Sequence, residues 1–262
     1  MCISKSVGLS AANQNDDVTL IQALLNLNLS LLPGIPFLPE DGVLGPHSQA
    51  VINQFQSLVA TPGSASGVID PGSATLTALR AAVPGQFGPD LLHILMPLSS
   101  EEQAAAFSAP LTAAMNANQI NTPLRMVHFL AQLGHESGSL RFTAELASGA
   151  DYEGRTDLGN TQPGDGPRFK GRGLIQITGR TNYTRYGKDR GQDYITGLNP
   201  DLLATDRNLA ADCSGWFWAT RHLNELADGD DLLGITKRIN GGTNGLDDRA
   251  RRLKLAKCLL LS

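Results

Sequence analysis

The stretch from about residue 148 to 173, SGADYEGRTDLGNTQPGDGPRFKGRG, is so dense in glycine and proline that no regular helix can run through it. It must therefore be a long ordered loop or a series of turns. Loops of this length inside a compact domain are uncommon unless they carry function, so the stretch points to a cleft walled by loop. Before it, Thr122 and Pro123 form a cap and first-turn pair ahead of Leu124, Val127, Leu130 and Ala131, and the predicted helix delivers His135 and Glu136 at its end. After it, Leu174-Ile175-Gln176-Ile177-Thr178 alternates as a short strand would.

A chain of 262 residues is long for one small domain and comfortable for two. The first part reads as a compact helical module. Val18, Ile21, Leu25 and Leu29 recur at helical spacing behind Asp16 and Asp17, predicting a helix over about 17–29. Val51, Phe55 and Leu58 predict a second, and Leu76 with Leu79 a third. Two related turns, Gly42-Val43-Leu44-Gly45-Pro46-His47-Ser48 and Gly67-Val68-Ile69-Asp70-Pro71-Gly72-Ser73, precede the second and third helices as a weak internal repeat. They read first as structural turns whose serines cap the following helix, and otherwise as ligand contacts. Prolines and glycines over 83–90 mark a linker, so the expected division is 1–82, linker 83–90 and 91–262. The fold class expected is mainly α with a small β element: a small three-helix domain followed by a helix-rich domain with a deep cleft.

With 41% hydrophobic and 18% charged residues, the chain has the composition of an ordinary globular protein. The net charge is −4, and residues 1–85 set only Lys5 and Arg80 against Asp16, Asp17, Glu40, Asp41 and Asp70. A nucleic-acid backbone asks for the opposite balance, so no nucleic-acid partner is expected. Cys2, Cys213 and Cys258 are odd in number, without CxxC or metal-finger spacing, and point to a reduced compartment during synthesis. The first residues lack the apolar core of a secretory signal, and no run of 18 apolar residues occurs. Synthesis in the cytoplasm without a signal peptide is the expectation.

Several chemistries are excluded by what is missing. His135-Glu136-Ser137-Gly138-Ser139 begins like the zinc motif HExxH but ends in serine, which removes the second metal ligand on that helical face. Gly171-Arg172-Gly173 fits neither nucleotide-binding glycine motif, and no GxSxG occurs. No metal or cofactor is implied. What remain are carboxylates: Glu136, Glu145 and Glu153 lie at a helix end and around the glycine-rich segment, where side chains can face a groove from both walls. Two facing carboxylates, one protonated and one ionised, are the minimum for glycoside hydrolysis, although spacing alone favours solvated surface acids.

Two resemblances sharpen this reading. DDVTLIQALLN, DGVLGPHSQAVINQFQ and SGVIDPGSATLTAL, in that order, resemble the small three-helix peptidoglycan-binding domain, which implies a module that holds murein. LAQLGHESGSLRFTAEL, YEGRTDLGNTQPGDGPRFKGRGLIQITGRTNY and ITKRINGGTNGLDDR resemble glycoside hydrolase family 19, in its bacterial and phage lysozyme branch. By position, that resemblance implies Glu136 as general acid, Glu145 as general base and Thr178 as the hydroxyl that helps hold the attacking water. It also implies Gln176, Asn182, Tyr183 and Asn240 as cleft-lining residues. Asn240 reads equally well as a turn residue before Gly241-Gly242, and Gln176 and Asn182 as structural hydrogen-bonders. Arg172 is placed either beside a catalytic acid or as a pin for the loop. Leu146-Ala147-Ser148-Gly149 stands where the family often has Asn-Tyr, which keeps Glu153 open as the alternative base.

The combined expectation is a phage-type endolysin, a monomer whose partner is the peptidoglycan glycan strand and which acts on the wall after release from the host cytoplasm. A chitinase and a non-catalytic wall binder are the rivals. The C-terminal run Arg249, Arg251, Arg252, Lys254 and Lys257 among leucines reads as a closing helix, or as a basic amphipathic helix touching an anionic outer membrane.

Overall fold

A computed structural model describes residues 2–261. The chain divides into two compact units, one of residues 1–85 with 257–262 and one of residues 86–256. Most of the chain is helical, with one small two-stranded sheet.

The first unit contains β1 (Val7–Gly8), α1 (Asn15–Leu27), α2 (Pro46–Phe55), β2 (Val68–Ile69) and α3 (Ala74–Arg80). β1 and β2 pair antiparallel, with Val7 opposite Ile69. The apolar positions that predicted α1 and α2 form its core, since Val18, Ile21, Leu25, Val51 and Phe55 are buried. Leu58 departs from the pattern. After Phe55 the helix widens into a π turn over Gln56–Ala60, which shifts the phase of the side chains and leaves Leu58 53% exposed.

The repeat is real at the level of hydrogen bonds. Gln22 accepts from the Gly42 amide at 2.9 Å and donates to the Val43 carbonyl at 3.2 Å. Gln56 does the same one helix later, accepting from Gly67 N at 2.8 Å and donating to Val68 O at 2.9 Å. Each glutamine is buried, so each turn completes polar groups that the core would otherwise leave unpaired. Gly42 has φ +73° and a Cβ there would meet the Asn15 side chain at 2.3 Å, which makes glycine obligatory. Of the two serines expected to cap, Ser73 accepts from Leu76 N, whereas Ser48 is buried and accepts from Gln22 at 3.4 Å.

The first unit also holds a disulfide between Cys2 and Cys258, across 256 positions of sequence, while Cys213 is free and buried. This departs from the reduced state expected of the cysteines. The pairing has no local spacing signature because its partners lie near opposite ends of the chain.

The second unit runs through α4 (Pro89–Leu95), α5 (Glu101–Ala117), α6 (Pro123–Glu136), α7 (Asp165–Arg168), α8 (Arg180–Arg190), α9 (Leu202–Thr205), α10 (Arg207–Thr220), α11 (Leu223–Asp228), α12 (Leu232–Asn240) and α13 (Leu246–Leu260). The last turn of α13 belongs to the first unit. α5 and α10 pack closely where Gly215 faces the end of α5, because a Cβ at Gly215 would lie 2.6 Å from Asn118 Nδ2 and 3.1 Å from Ala114 O. Phe129 of α6 meets Trp218 of α10 edge to face at 5.3 Å between ring centres.

The strand expected over 174–178 is a turn. Gly173, at φ +92°, reverses the chain so that Arg172 and Ile177 bond each other's backbone at 3.2 and 2.9 Å. Leu174, Ile175 and Ile177 are all buried, so the alternation reported burial on more than one side rather than a pleat. No helix among the described residues is long and apolar enough to cross a membrane.

Candidate active site

α6 starts where the sequence says it should: Thr122 accepts from Arg125 N at 3.3 Å and Pro123 occupies the first turn. Its residues Val127–Gly134 are all buried, so the helix is fixed in the core and its C-terminal residue Glu136 is held by a rigid rod. Beyond it Gly138, Ser139 and Leu140 have φ of +55°, +62° and +67° in succession. Two non-glycine residues in the left-handed region store strain directly behind the candidate acid.

The Glu136 side chain is 22% exposed, and its Oε1 accepts from Arg249 Nη2 at 2.5 Å. Arg249, on α13, is 1% exposed and also donates to Gln132 Oε1 and, through Nε, to the Asn244 carbonyl at 3.3 Å. Gln132 sits one turn before Glu136 and reaches Thr236 of α12 at 3.4 Å. One buried guanidinium of α13 thus holds two side chains of α6, the acid among them, and Gln132 carries the network on to α12. A second network lies beside it, in which His135 Nδ1 is 2.8 Å from Asp248 Oδ2 and Arg252 donates to the same oxygen at 2.7 Å and to Ser139 Oγ at 3.1 Å. The hydrogen bond from His135, with Arg252 beside it, holds the Asp248 carboxyl well below the usual carboxylate range. Gly245, at φ +71°, passes so close to His135 that a Cβ would lie 2.2 Å from its ring.

Glu145 is placed by the glycine-rich loop. Its backbone amide donates to Gly171 O at 2.9 Å, its Oε2 accepts from Gly171 N at 3.2 Å, and its Oε1 accepts from the Tyr152 hydroxyl at 3.1 Å. Lys170 Nζ donates to the carbonyls of Glu145 and Ala147, each at 3.0 Å. Glu153 is used differently, since its two oxygens accept from Gly164 N at 2.7 Å and Gly166 N at 2.8 Å and so pin the loop on itself.

The remaining expected site residues divide by burial. Thr178 and Gln176 are half-buried, and the Gln176 side chain lies against Gly171, where a Cβ would meet its Oε1 at 2.8 Å. Asn182 is half-buried and donates to the Thr178 carbonyl at 2.6 Å. Tyr183, expected to line the cleft, is instead wholly buried, with its hydroxyl donating to Lys170 O at 2.7 Å and accepting from Arg172 at 3.0 Å. Burial pushes its phenol far above the ordinary value, and no face is left for a sugar. Arg172 proves to be a pin: its side chain is 7% exposed and bonds Asp201 at 2.5 Å and the Arg168 carbonyl at 2.8 Å. Asn240 is exposed and closes the turn after α12, donating to Asn244 O at 2.9 Å and accepting from Gly242 N at 2.8 Å. A cavity of about 290 Å³ lined by Asn118, Gln119, Arg125, His222, Asn224 and Glu225 includes none of these residues.

Sequence reasoning missed Arg249 and Tyr152 as partners of the acids. Arg249 was read as part of a basic face, yet it is buried and paired inward. No signal in the sequence marked either contact, since each depends on loop or long-range geometry.

The model of the class I chitinase family matches residues 113–237. A glycosyl hydrolase family 19 domain-containing protein of Haemophilus influenzae is 33% identical over 170 residues, covering 53% of this chain and 80% of that protein. The chain belongs to glycosyl hydrolase family 19. The family 19 segment is also similar to an endochitinase of Arabidopsis thaliana, 38% identical over 113 residues, which cover 43% of this chain and 38% of that protein. An acidic 27 kDa endochitinase of Solanum lycopersicum is 39% identical over 108 residues, 40% of each chain. This family 19 chain therefore spans about two fifths of the length of these two plant relatives. In fold it is similar to chitinase C from Streptomyces griseus, with a TM-score of 0.56 at 21% identity over 78% of this chain and 84% of that one.

Proposed function

We propose that this family 19 chain hydrolyses β-1,4 bonds between N-acetylated amino sugars with inversion, and that its polymer is the glycan strand of bacterial peptidoglycan. The reading rests on one arrangement: Glu136 and Glu145 are each fixed by a frame of their own, a buried arginine for one and a loop amide with a tyrosine hydroxyl for the other. Glu136 donates its proton to the glycosidic oxygen as the C1–O bond breaks. Glu145 takes a proton from the water that attacks C1 from the opposite face, and Thr178 helps hold that water. Inversion needs carboxyl groups about 6.5–9.5 Å apart to admit the water, and no covalent intermediate forms. Both carboxyl groups return to their starting states by exchange with solvent.

The murein assignment draws on the likeness of the first unit to peptidoglycan-binding modules, and with it comes the role of an endolysin made in a host cytoplasm and released to the wall at lysis. A chitin substrate is the second reading, favoured by the relatives named as endochitinases. Mass spectrometry of borohydride-reduced digests separates the two. Murein fragments ending in reduced muramic acid support the lysozyme assignment, whereas anhydro ends or cleavage confined to N-acetylglucosamine oligomers overturn it. Clearing of outer-membrane-stripped cells distinguishes a murein hydrolase from a wall binder, which sediments with the walls and leaves turbidity unchanged.

A further inference from the structure

We propose that Tyr152 is a positioning residue for hydrolysis: together with the Gly171 amide, its hydroxyl fixes the direction in which the Glu145 carboxylate faces the attacking water. The proposal rests on the reading of Glu145 as base.

A carboxylate at the end of a flexible side chain turns about its last bond, and a base that turns loses alignment with its water. Here each oxygen has one donor on it, Tyr152 Oη on Oε1 at 3.1 Å and Gly171 N on Oε2 at 3.2 Å. Two donors on two oxygens stop the rotation. The main chain is stopped as well, by Glu145 N on Gly171 O and by Lys170 Nζ on the Glu145 carbonyl. Burial, with the charge of Glu145 next, raises the Tyr152 phenol above its ordinary value, so the hydroxyl keeps its proton and donates.

Tyr152 is in turn held by contacts that do not involve Glu145. It ends a 3-10 turn, Ala150–Tyr152, entered from Gly149 at φ +83°. A Cβ at Gly149 would meet Lys170 Cβ at 2.7 Å and Gly166 O at 2.8 Å, and a Cβ at Gly166 would meet Glu153 N at 2.6 Å. Three backbone strands of the loop therefore touch without side chains between them, and the Glu153 carboxylate locks that contact through Gly164 N and Gly166 N. The Tyr152 carbonyl accepts from Asn160 Nδ2 at 2.9 Å, and Asn160 Oδ1 accepts from Arg180 N at 2.8 Å. A tyrosine ring has only two soft torsions, so a fixed backbone gives a fixed hydroxyl. Glu145 thus receives the Tyr152 hydroxyl, and Glu153 holds its loop.

The test is Tyr152→Phe, which keeps the ring and removes the hydroxyl, assayed in the full chain beside E145Q and the double variant. The substrate is a soluble N-acetylglucosamine hexamer or solubilised murein strands, whichever the unmodified enzyme cleaves. The expected result is a fall in kcat of about tenfold with KM within about twofold and an unchanged melting temperature. In the double variant, loss of the hydroxyl adds nothing to the loss from E145Q, because a residue that acts only through Glu145 has no effect without it. Three results overturn the proposal while leaving the base assignment intact: an unchanged kcat in Y152F beside an inactive E145Q; a raised KM at unchanged kcat, which marks a sugar contact; or a further loss in the double variant, which marks a structural role. Near-normal turnover in E145Q instead removes the base assignment itself.

Discussion

Arg249 Nη2 lies 2.5 Å from Glu136 Oε1, joining a guanidinium that is 1% exposed to the candidate acid across 113 positions of sequence. The same guanidinium satisfies Gln132, so it is at once a structural bolt and the partner of the candidate acid. Replacing it with alanine leaves a partly buried carboxylate and a buried amide oxygen without their donor. We expect Arg249→Ala to destabilise the 86–256 unit by about 3–5 kcal/mol, as broken buried pairs do, measured by thermal or urea unfolding. Arg249→Lys keeps the charge but not the fork, and is expected to recover stability further than it recovers turnover. Equal recovery of both speaks against a role in placing Glu136.

Glu136→Gln keeps the shape and removes the transferable proton. Glycan cleavage should fall by about 10²–10⁴-fold, the span typical of general acids, with the circular dichroism spectrum and melting temperature retained. A variant that still clears stripped cells at a tenth of the normal rate is incompatible with Glu136 as acid.

Glu145→Gln should lose turnover on the same scale. Glu153→Gln keeps one acceptor oxygen for the two loop amides, so it should cut turnover by no more than about tenfold while making the 146–171 loop more open to limited proteolysis. If E153Q is the inactive variant and E145Q is near normal, the base is Glu153.

The Asp248 carboxyl, held below its ordinary range by the hydrogen bond from His135 and by Arg252, stabilises the fold only where it is ionised there and protonated less readily than in the unfolded chain. Because its folded value is depressed, that contribution is fully present above the unfolded value of about 3.9 and fades as pH drops toward the lower folded value. Asp248→Asn should therefore melt several degrees below the parent at pH 6, with the gap closing below about pH 4. A gap that is constant from pH 7 to pH 3 rules out the linkage.

The Cys2–Cys258 disulfide closes a loop of nearly the whole chain. Chain-entropy arguments assign about 2–5 kcal/mol to such a bond, so Cys2→Ser should lower the urea midpoint of the 1–85 unit, and reductant should lower the parent to match. No response of the parent to reductant means the bond contributes nothing in solution.

How much of this was legible beforehand follows from the range of each interaction. α6 was readable to the residue because its cap, its first-turn proline and its apolar stripe are local signals that agree. α1–α3 were readable from their apolar spacing, Leu58 excepted, and the Gly42 and Gly67 turns by their shared wording. The turn at 172–177 was misread because a buried reversal and a half-buried strand share one short apolar pattern. Tyr183 matched a cleft position by resemblance, yet its burial is decided by Lys170 and Arg172, which no spacing rule connects to it. Arg249 was hidden most fully, because a basic run at the end of a chain looks like a solvated face until its partner, 113 positions earlier, is seen.

Because Cys2 and Cys258 are bonded, the polypeptide between them is a covalent ring. A ring survives its first cut. Protease action at any one site in the 146–171 loop would linearise it without releasing a fragment, and the pieces would part only when reductant opens the bond. A nick that would divide an open chain would thus leave both units on one molecule.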